Sequence, residues 1–335
     1  LPRYRQIKIF DREFGMQVTQ PPFGAKKIML LGGTGFVGRA LAGALSQAGF
    51  SVTIPSRHVH RHRDLALNPG IRLIDRAPAA SDMASVRAPL SWAELMSDHS
   101  VLINLVGILN EPKHNGVGFE QAHVTFTQTA LAAASAAGIT RYLHMSALGA
   151  DAVNGRSFYL RSKGRAEDWA HEFGEQNGIG VTSFRPSVIF GPHDAFLNRF
   201  VQLAALMPGV FPLACADALF APVFVGDVAA QLLSAIESSE LNGRRIELCG
   251  PTDYRLRELV AYAAKTAGHP RLILGLPDWA SRVQARLLEF APGKPFTRDN
   301  YASLQTPSVC SVGCPRQPTR LETIAPQYLH KRTRV

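Results

Sequence analysis

The sequence predicts an α/β fold: a doubly wound parallel sheet followed by a smaller, mostly helical C-terminal domain. Three observations predict it. Short apolar runs at 27–31 and 100–109 read as strands buried on both faces. Helical stretches alternate with strand-like runs up to about residue 190. Beyond that point the alternation gives way to a proline-punctuated apolar segment and amphipathic helices.

The elements follow in order. Residues 27–31 form the first strand, and Gly32, Gly33, Gly35 and Gly38 follow it. A helix then runs to about Ala48, with Gly49 suited to its C-terminal cap. SVTI (51–54) is the second strand, IRLID (71–75) the third, and SVLINLVGIL (100–109) the fourth. An Ala-rich helix spans 119–138. RYLHMSALG (141–149) is the fifth strand, and 180–192 contains the sixth. Further helices are predicted over 195–207, 226–238, 255–268 and 277–292, with a strand at 244–250. The domain division is a tail at 1–26, a dinucleotide-binding domain at 27–192 to which 222–250 returns, and a cap of 193–221 and 251–330.

The glycine turn carries the first chemistry. In LGGTGFVG, Gly32 permits a tight turn, Gly35 lets the backbone approach a pyrophosphate, and Gly38 allows close helix–strand packing, with Thr34, Phe36 and Val37 between and beside them. The helix behind the turn presents free N–H groups and its positive dipole end to phosphate. Strand, glycine turn, helix and strand together indicate a Rossmann-type dinucleotide site. An acidic residue at the end of the second strand would bind the ribose 2′-hydroxyl of NAD. This chain instead has Arg57 and His58, with His60 and Arg61 beyond, so NADP(H) is favoured, with NAD(H) the alternative.

In SFYLRSKG, Tyr159 and Lys163 lie one helical turn apart. Tyr4 and Lys8 share that spacing, so spacing alone assigns nothing. Context separates the two pairs. Ser146 lies at the end of the fifth strand, Tyr159 in the first turn of the helix after it, and ligands of open parallel sheets bind beyond those strand ends.

Charge and cysteines bound the remaining classes. The formal net charge is +10, with basic residues at the N-terminus (Arg3, Arg5, Lys8, Arg12), in SRHVHRHR (56–63) and in HKRTR (330–334). They form no recognition helix and no nucleic-acid motif, so the anionic partner expected is a phosphate-bearing cofactor or an anionic membrane surface, not nucleic acid. The four cysteines suggest no disulfide framework, which points to a reducing compartment. Cys310 and Cys314 lack a second ligand pair in the sequence, and no metal is assigned. Residues 1–26 lack an apolar signal core, so secretion is not expected, and prolines 208, 212 and 222 exclude a membrane span from the most apolar segment. That segment, 206–225, is expected either to pack on the cap or to expose Phe211 and Phe220 to a substrate or a membrane-bound partner.

The stretches LGGTGFVG, INLVGIL, HMSALGAD, YLRSKGRAE, RPSVIFGPHDAFLNRF, PVFVGDVA, LCGPTDYRLRELV and FTRDN resemble an extended, atypical short-chain dehydrogenase/reductase. Within it they are similar to the group containing the nucleotide-binding accessory subunit of respiratory complex I and its bacterial relatives, over roughly 27–305. The resemblance implies that Ser146 bonds a substrate carbonyl, that Tyr159 exchanges the proton, and that Lys163 holds the nicotinamide ribose and lowers the Tyr pKa. It also implies cofactor contacts from Leu105, Val106 and Gly107 and from Pro186, Ser187 and Val188. His123 stands where many such proteins place Asn. Three roles follow: a reductase of an apolar or quinone-related substrate, a cofactor-holding accessory protein of a respiratory membrane complex, or a sensor of NADPH redox state. The expected location is cytoplasmic, or the mitochondrial matrix, peripheral to the inner membrane.

Overall fold

The computed structural model describes residues 26–76 and 91–329. Residues 1–25 of the N-terminal tail and the basic run at 330–334 therefore lie outside the described residues.

Seven parallel strands form the central sheet: β1 (Lys27–Leu31), β2 (Ser51–Ser56), β3 (Ile71–Asp75), β4 (Val101–Asn104), β5 (Arg141–Met145), β6 (Gly180–Pro186) and a late strand, Arg245–Leu248. Their order across the sheet is β3-β2-β1-β4-β5-β6, with Arg245–Leu248 outside β6. The order reverses direction between β1 and β4, which opens a crevice beyond their C-terminal ends.

The apolar run of β1 is explained by its two buried faces. Ile28 and Leu30 enter one core with Leu41 and Leu45 of α1 (Phe36–Gln47) and with Val52 and Ile54. Met29 and Leu31 enter the opposite core with Trp92, Phe126, Leu131, Tyr142 and Val181. Each large side chain so buried contributes roughly 1.5–3 kcal/mol. The second core is closed by α2 (Trp92–Met96), by a long helix α3 and by α4 (Phe158–Gln176). Helix α3 begins at Val117–Phe119, carries a π-turn over Glu120–Thr125 and continues through Phe126–Ala136.

The remaining elements return in part to the sheet, through Val225–Ala235 and Arg245–Leu248, and otherwise build a smaller layer with its own core. They are β7 (Ile189–Phe190), α5 (Phe196–Leu206), β8 (Val210–Leu213), β9 (Leu219–Phe220), β10 (Val223–Phe224), α6 (Val225–Ala235), β11 (Arg245–Leu248, the late strand above), β12 (Tyr254–Arg255), α7 (Leu256–Thr266), β13 (Leu272–Gly275), α8 (Asp278–Leu288), α9 (Arg298–Ser303), α10 (Leu321–Ile324) and α11 (Pro326–Leu329). Val228 and Leu232 of α6 pack into the sheet core, whereas α5, α7, β8 and β9 build a separate cluster around Phe190, Leu197, Phe211, Leu259 and Val260.

Two expectations are corrected and one open alternative is decided. The fourth strand stops at Asn104, because the Asn104 Oδ1 accepts the Val106 N–H at 3.0 Å and turns the chain away from the sheet. Phe211 and Phe220 are buried, Phe211 through β8 pairing with β13 and Phe220 through β9 pairing with β12, so neither is available to a partner. Cys249 and Cys310 are joined in a disulfide, 61 residues apart in sequence, because Cys249 at the end of β11 meets the segment that follows α9. Among the described residues, no helix is long and apolar enough to cross a membrane.

Candidate functional site

A cleft of about 1040 Å³ occupies the crevice beyond β1, β2 and β4. Gly32, Thr34 and Gly35 form its floor, Ser56, Arg57, His58 and His62 one side, and Leu105, Val106 and Gly107 the other. Part of α3 closes it, including Gly118, Ala122 and Phe126.

The floor is built by two geometric demands on glycine. Gly32 has φ +80°, a left-handed conformation that side chains resist. A Cβ at Gly38 would lie 2.3 Å from the Gly32 carbonyl oxygen, so α1 can approach the turn only with glycine there. At Gly35, the N-terminal cap of α1, an added Cβ would touch only the Gly32 oxygen at 3.3 Å, leaving the backbone open toward the cleft. The first turn of α1 has no acidic side chain to oppose an anion. This cradle fits the pyrophosphate of a dinucleotide. At the rim, Arg57 and His58 are exposed, and no ion pair among the described residues engages Arg57. His60 and Arg61 do not line the cleft. His62 does, with Nδ1 3.0 Å from Arg39. Burial, and then Arg39, lower the His62 pKa. Phe36, Val37, Pro186, Ser187 and Val188 lie outside the lining. The Ser187 hydroxyl instead donates to the Ser308 carbonyl at 2.6 Å.

Deeper in the molecule, Tyr159, Lys163 and His123 meet beside Gly107. Helix α4 places Tyr159 in its first turn because Ser157 caps it, accepting the Leu160 N–H at 3.0 Å. The carboxylate of Asp299, from α9, accepts the Phe158 N–H at 2.7 Å and the Tyr159 N–H at 3.3 Å. The Tyr159 ring lies edge-on to His123 and Phe119. Lys163 is buried, and its Nζ donates to the Met145 carbonyl at 2.9 Å. A Cβ at Gly107 would approach that Nζ to 3.1 Å and the His123 Nε2 to 3.4 Å, so glycine lets the loop lie against both.

His123 ties this cluster together. Its Nε2 accepts the Ile108 N–H at 3.1 Å. The proton must then sit on Nδ1, which donates to Ser162 Oγ at 2.8 Å, and the Ser162 hydroxyl donates to the Tyr159 carbonyl at 2.9 Å. Burial, reinforced by Lys163, lowers the His123 pKa to about 2, so the ring is neutral.

Two expected roles meet a different geometry. The Ser146 hydroxyl donates to Glu167 Oε2 at 2.7 Å, within a buried cluster where Glu167 also pairs with Arg185 and Arg245. The structure therefore brings Tyr159 and Lys163 together but commits the Ser146 hydroxyl to Glu167. The Tyr159 pKa is pushed up to about 12, first by burial and then by Asp299, rather than lowered by Lys163. Burial lowers the Lys163 pKa to about 8 against the opposing pull of Glu167.

Residues 28–249 match the NAD dependent epimerase/dehydratase family. The chain belongs to that family. Its relatives include NADH dehydrogenase [ubiquinone] 1 alpha subcomplex subunit 9, mitochondrial, of Rattus norvegicus, 27% identical over 90% of this chain and 79% of the relative. Ceramide reductase of Caulobacter vibrioides is 28% identical over 87% of this chain and 83% of the relative. Among solved structures, UDP-glucuronic acid 4-epimerase from Bacillus cereus, in complex with UDP-glucuronic acid and NAD, has a TM-score of 0.63 at 18% identity, covering 90% of this chain and 96% of that one. That likeness shows the fold, an epimerase-type doubly wound sheet. In this epimerase/dehydratase chain, Asp299, Glu167 and the linking role of His123 were not assigned from sequence. FTRDN and YLRSKGRAE contain the two carboxylates, but only the tertiary fold shows what each one holds.

Proposed function

We propose that this family member binds NADP(H) and reduces a carbonyl group of an apolar or quinone-related substrate. The observation that carries the cofactor assignment is Arg57, exposed at the end of β2 on the cleft rim without an acidic partner among the described residues. A planar guanidinium there suits a 2′-phosphate, while Gly35 and the N-terminus of α1 suit the pyrophosphate. A nicotinamide dinucleotide, when bound, supplies the hydride. Tyr159 supplies the proton: a phenol with pKa about 12 remains protonated at neutral pH and donates to a developing alkoxide. Neutral His123, through Ile108 N–H and Ser162, ties the Gly107–Ile108 loop to the first turn of α4, and Lys163 lies beside Gly107. A relative named ceramide reductase supports an apolar substrate.

The test is a titration of wild type and Arg57→Ala with NADPH and NADH. A charge-assisted contact contributes about 1.5–3 kcal/mol, so NADPH affinity should fall roughly 10- to 100-fold while NADH affinity stays within about twofold. Equal losses would refute the assignment. Tyr159→Phe should keep NADPH affinity within a few fold and abolish reduction.

A second reading, a cofactor-holding accessory protein of a respiratory membrane complex, has its own support. Ser146 is committed to Glu167, and several relatives are named as NADH dehydrogenase subunits. In addition, α8 and the residues just after it expose Trp279, Val283, Leu287 and Phe290 at helical spacing, an apolar row of the kind that marks a protein contact. Trp279→Asp with Phe290→Asp should then release the protein from the membrane complex without changing NADPH binding. Unchanged co-purification would exclude that row as the contact.

A further inference from the structure

Cys310 and Cys314 lack, in sequence, the second pair of ligands that a metal requires. The fold supplies it. Strand β11 ends in Glu247-Leu248, Cys249 follows it, and Cys249 and Cys310 are in covalent contact. The Cys314 Sγ lies 2.8 Å from the Cys310 Sγ. A Glu247 carboxylate oxygen, the Cys310 sulfur and the Cys314 sulfur all fall within 4.8 Å of one another. The Glu247 carboxylate and the Cys310 and Cys314 sulfurs therefore converge, and the Cys249 sulfur adjoins them through its bond to Cys310.

Local structure holds those pairs in place. The Glu247 Oε2 accepts the Ser311 N–H at 2.8 Å and the Ser311 hydroxyl at 2.7 Å, which orients the carboxylate. The chain from Cys310 to Cys314 turns back on itself through Gly313 at φ +85°, and the Cys314 N–H bonds the Ser311 carbonyl at 3.1 Å. The Cys249 carbonyl accepts the Gln317 N–H at 2.8 Å, fastening the far side of the loop. Cys314 has a half-buried thiol beside a carboxylate, an arrangement that a cation would relieve. The competing positive charge is Arg316, which is paired with Asp253 at 2.6 Å.

We propose that Cys249, Cys310, Cys314 and Glu247 form a binding site for a zinc-class divalent cation when the cysteines are reduced. The donor set, three thiolates and one carboxylate, has the count and softness that Zn²⁺ takes in four-coordinate sites. The disulfide is the oxidised, metal-free form of the same site. A dithiol or phosphine reductant opens the Cys249–Cys310 bond to two thiols and is itself oxidised. The cation then replaces the protons of three thiols, which leave to solvent, and the Glu247 carboxylate fills the fourth position. The bound ion would clip the segment after α9 to the end of β11, as the disulfide does in the oxidised protein. This site lies outside the cofactor cleft and is independent of the functional readings above.

The test uses the full chain, reduced with a phosphine and titrated anaerobically with Co²⁺. The expected result is one equivalent bound, with thiolate-to-cobalt charge-transfer absorption and the intense visible bands of a tetrahedral ion, both erased by Zn²⁺. Cys314→Ser should weaken the charge-transfer band, and Glu247→Gln should keep it. Each should lower affinity by more than about tenfold, a loss seen even for residues that only support a ligand. Cys215→Ser should change nothing. Absence of a thiolate band in the reduced wild type would overturn the proposal. So would a Cys249–Cys310 bond that resists reduction in the folded protein, or an unchanged spectrum in Cys314→Ser.

Discussion

Lys163 carries a charge that its surroundings resist. Burial lowers its pKa from 10.5 to about 8. Below pH 8 both folded and unfolded chains are protonated, and the cost of burying the charge, roughly 3 kcal/mol, is present in full. Between pH 8 and 10.5 the unfolded chain keeps a proton that the folded chain has released, so stability rises with pH through this group. Lys163→Met should therefore gain most over wild type at pH 7, and that gain should shrink as pH passes from 8 to 10.5. Chemical denaturation of both proteins across that window measures it; a difference independent of pH would show that Lys163 is not held charged against burial. The same residue illustrates what the sequence could and could not reveal. Its place one turn after Tyr159 was legible from helical spacing. Its contact with the Met145 carbonyl, and the rise of the Tyr159 pKa, depend on burial that spacing does not encode.

At the scale of elements, the cap grips the Tyr159 helix through one carboxylate. Asp299 of α9 accepts two N–H groups at the start of α4, and it is buried there. Asp299→Ala leaves those donors unpaired, at a cost of about 1–3 kcal/mol. Asp299→Asn retains an acceptor and should lose less. A denaturation midpoint for Asp299→Ala equal to that of wild type would show that Ser157 alone sustains the cap. The strands and helices of the sheet are legible because their signals are local: IRLID alone marks β3 at 71–75, and the glycine turn and α1 follow local chemistry. The fourth strand was overrun because Leu105 and Val106 are apolar as cleft lining, and apolarity does not distinguish a lining loop from a strand. The burial of Phe211 and Phe220 follows from pairings with β13 and β12, distant in sequence and invisible to periodicity. The meeting of Cys249 with Cys310 and Cys314 was hidden for the same reason.

The whole molecule keeps several histidines neutral by burying them. Burial is the leading cause of lowered pKa at His99, at His123 (about 2), at His144 and at His171 (about 4). Below pH 6.5 the unfolded chain takes up protons that these folded histidines refuse, so stability falls as pH falls, by about 1.4 kcal/mol per pH unit for each fully neutral histidine. Unfolding midpoints at pH 7.0 and 5.5 should show the drop, and His123→Gln should lessen it; a flat profile would mean these rings are charged or exposed. The central claim concerns the crevice between β1 and β4, where a glycine turn and a helix N-terminus are assigned to a nicotinamide dinucleotide. Calorimetric titration of NADPH into wild type and Gly35→Asp tests it most directly, with circular dichroism confirming that both are folded. The account predicts one equivalent bound by wild type and an affinity at least about 100-fold weaker in Gly35→Asp, where a carboxylate occupies the phosphate cradle. A folded wild type that binds no nicotinamide dinucleotide, or a folded Gly35→Asp that binds NADPH as wild type does, would contradict it.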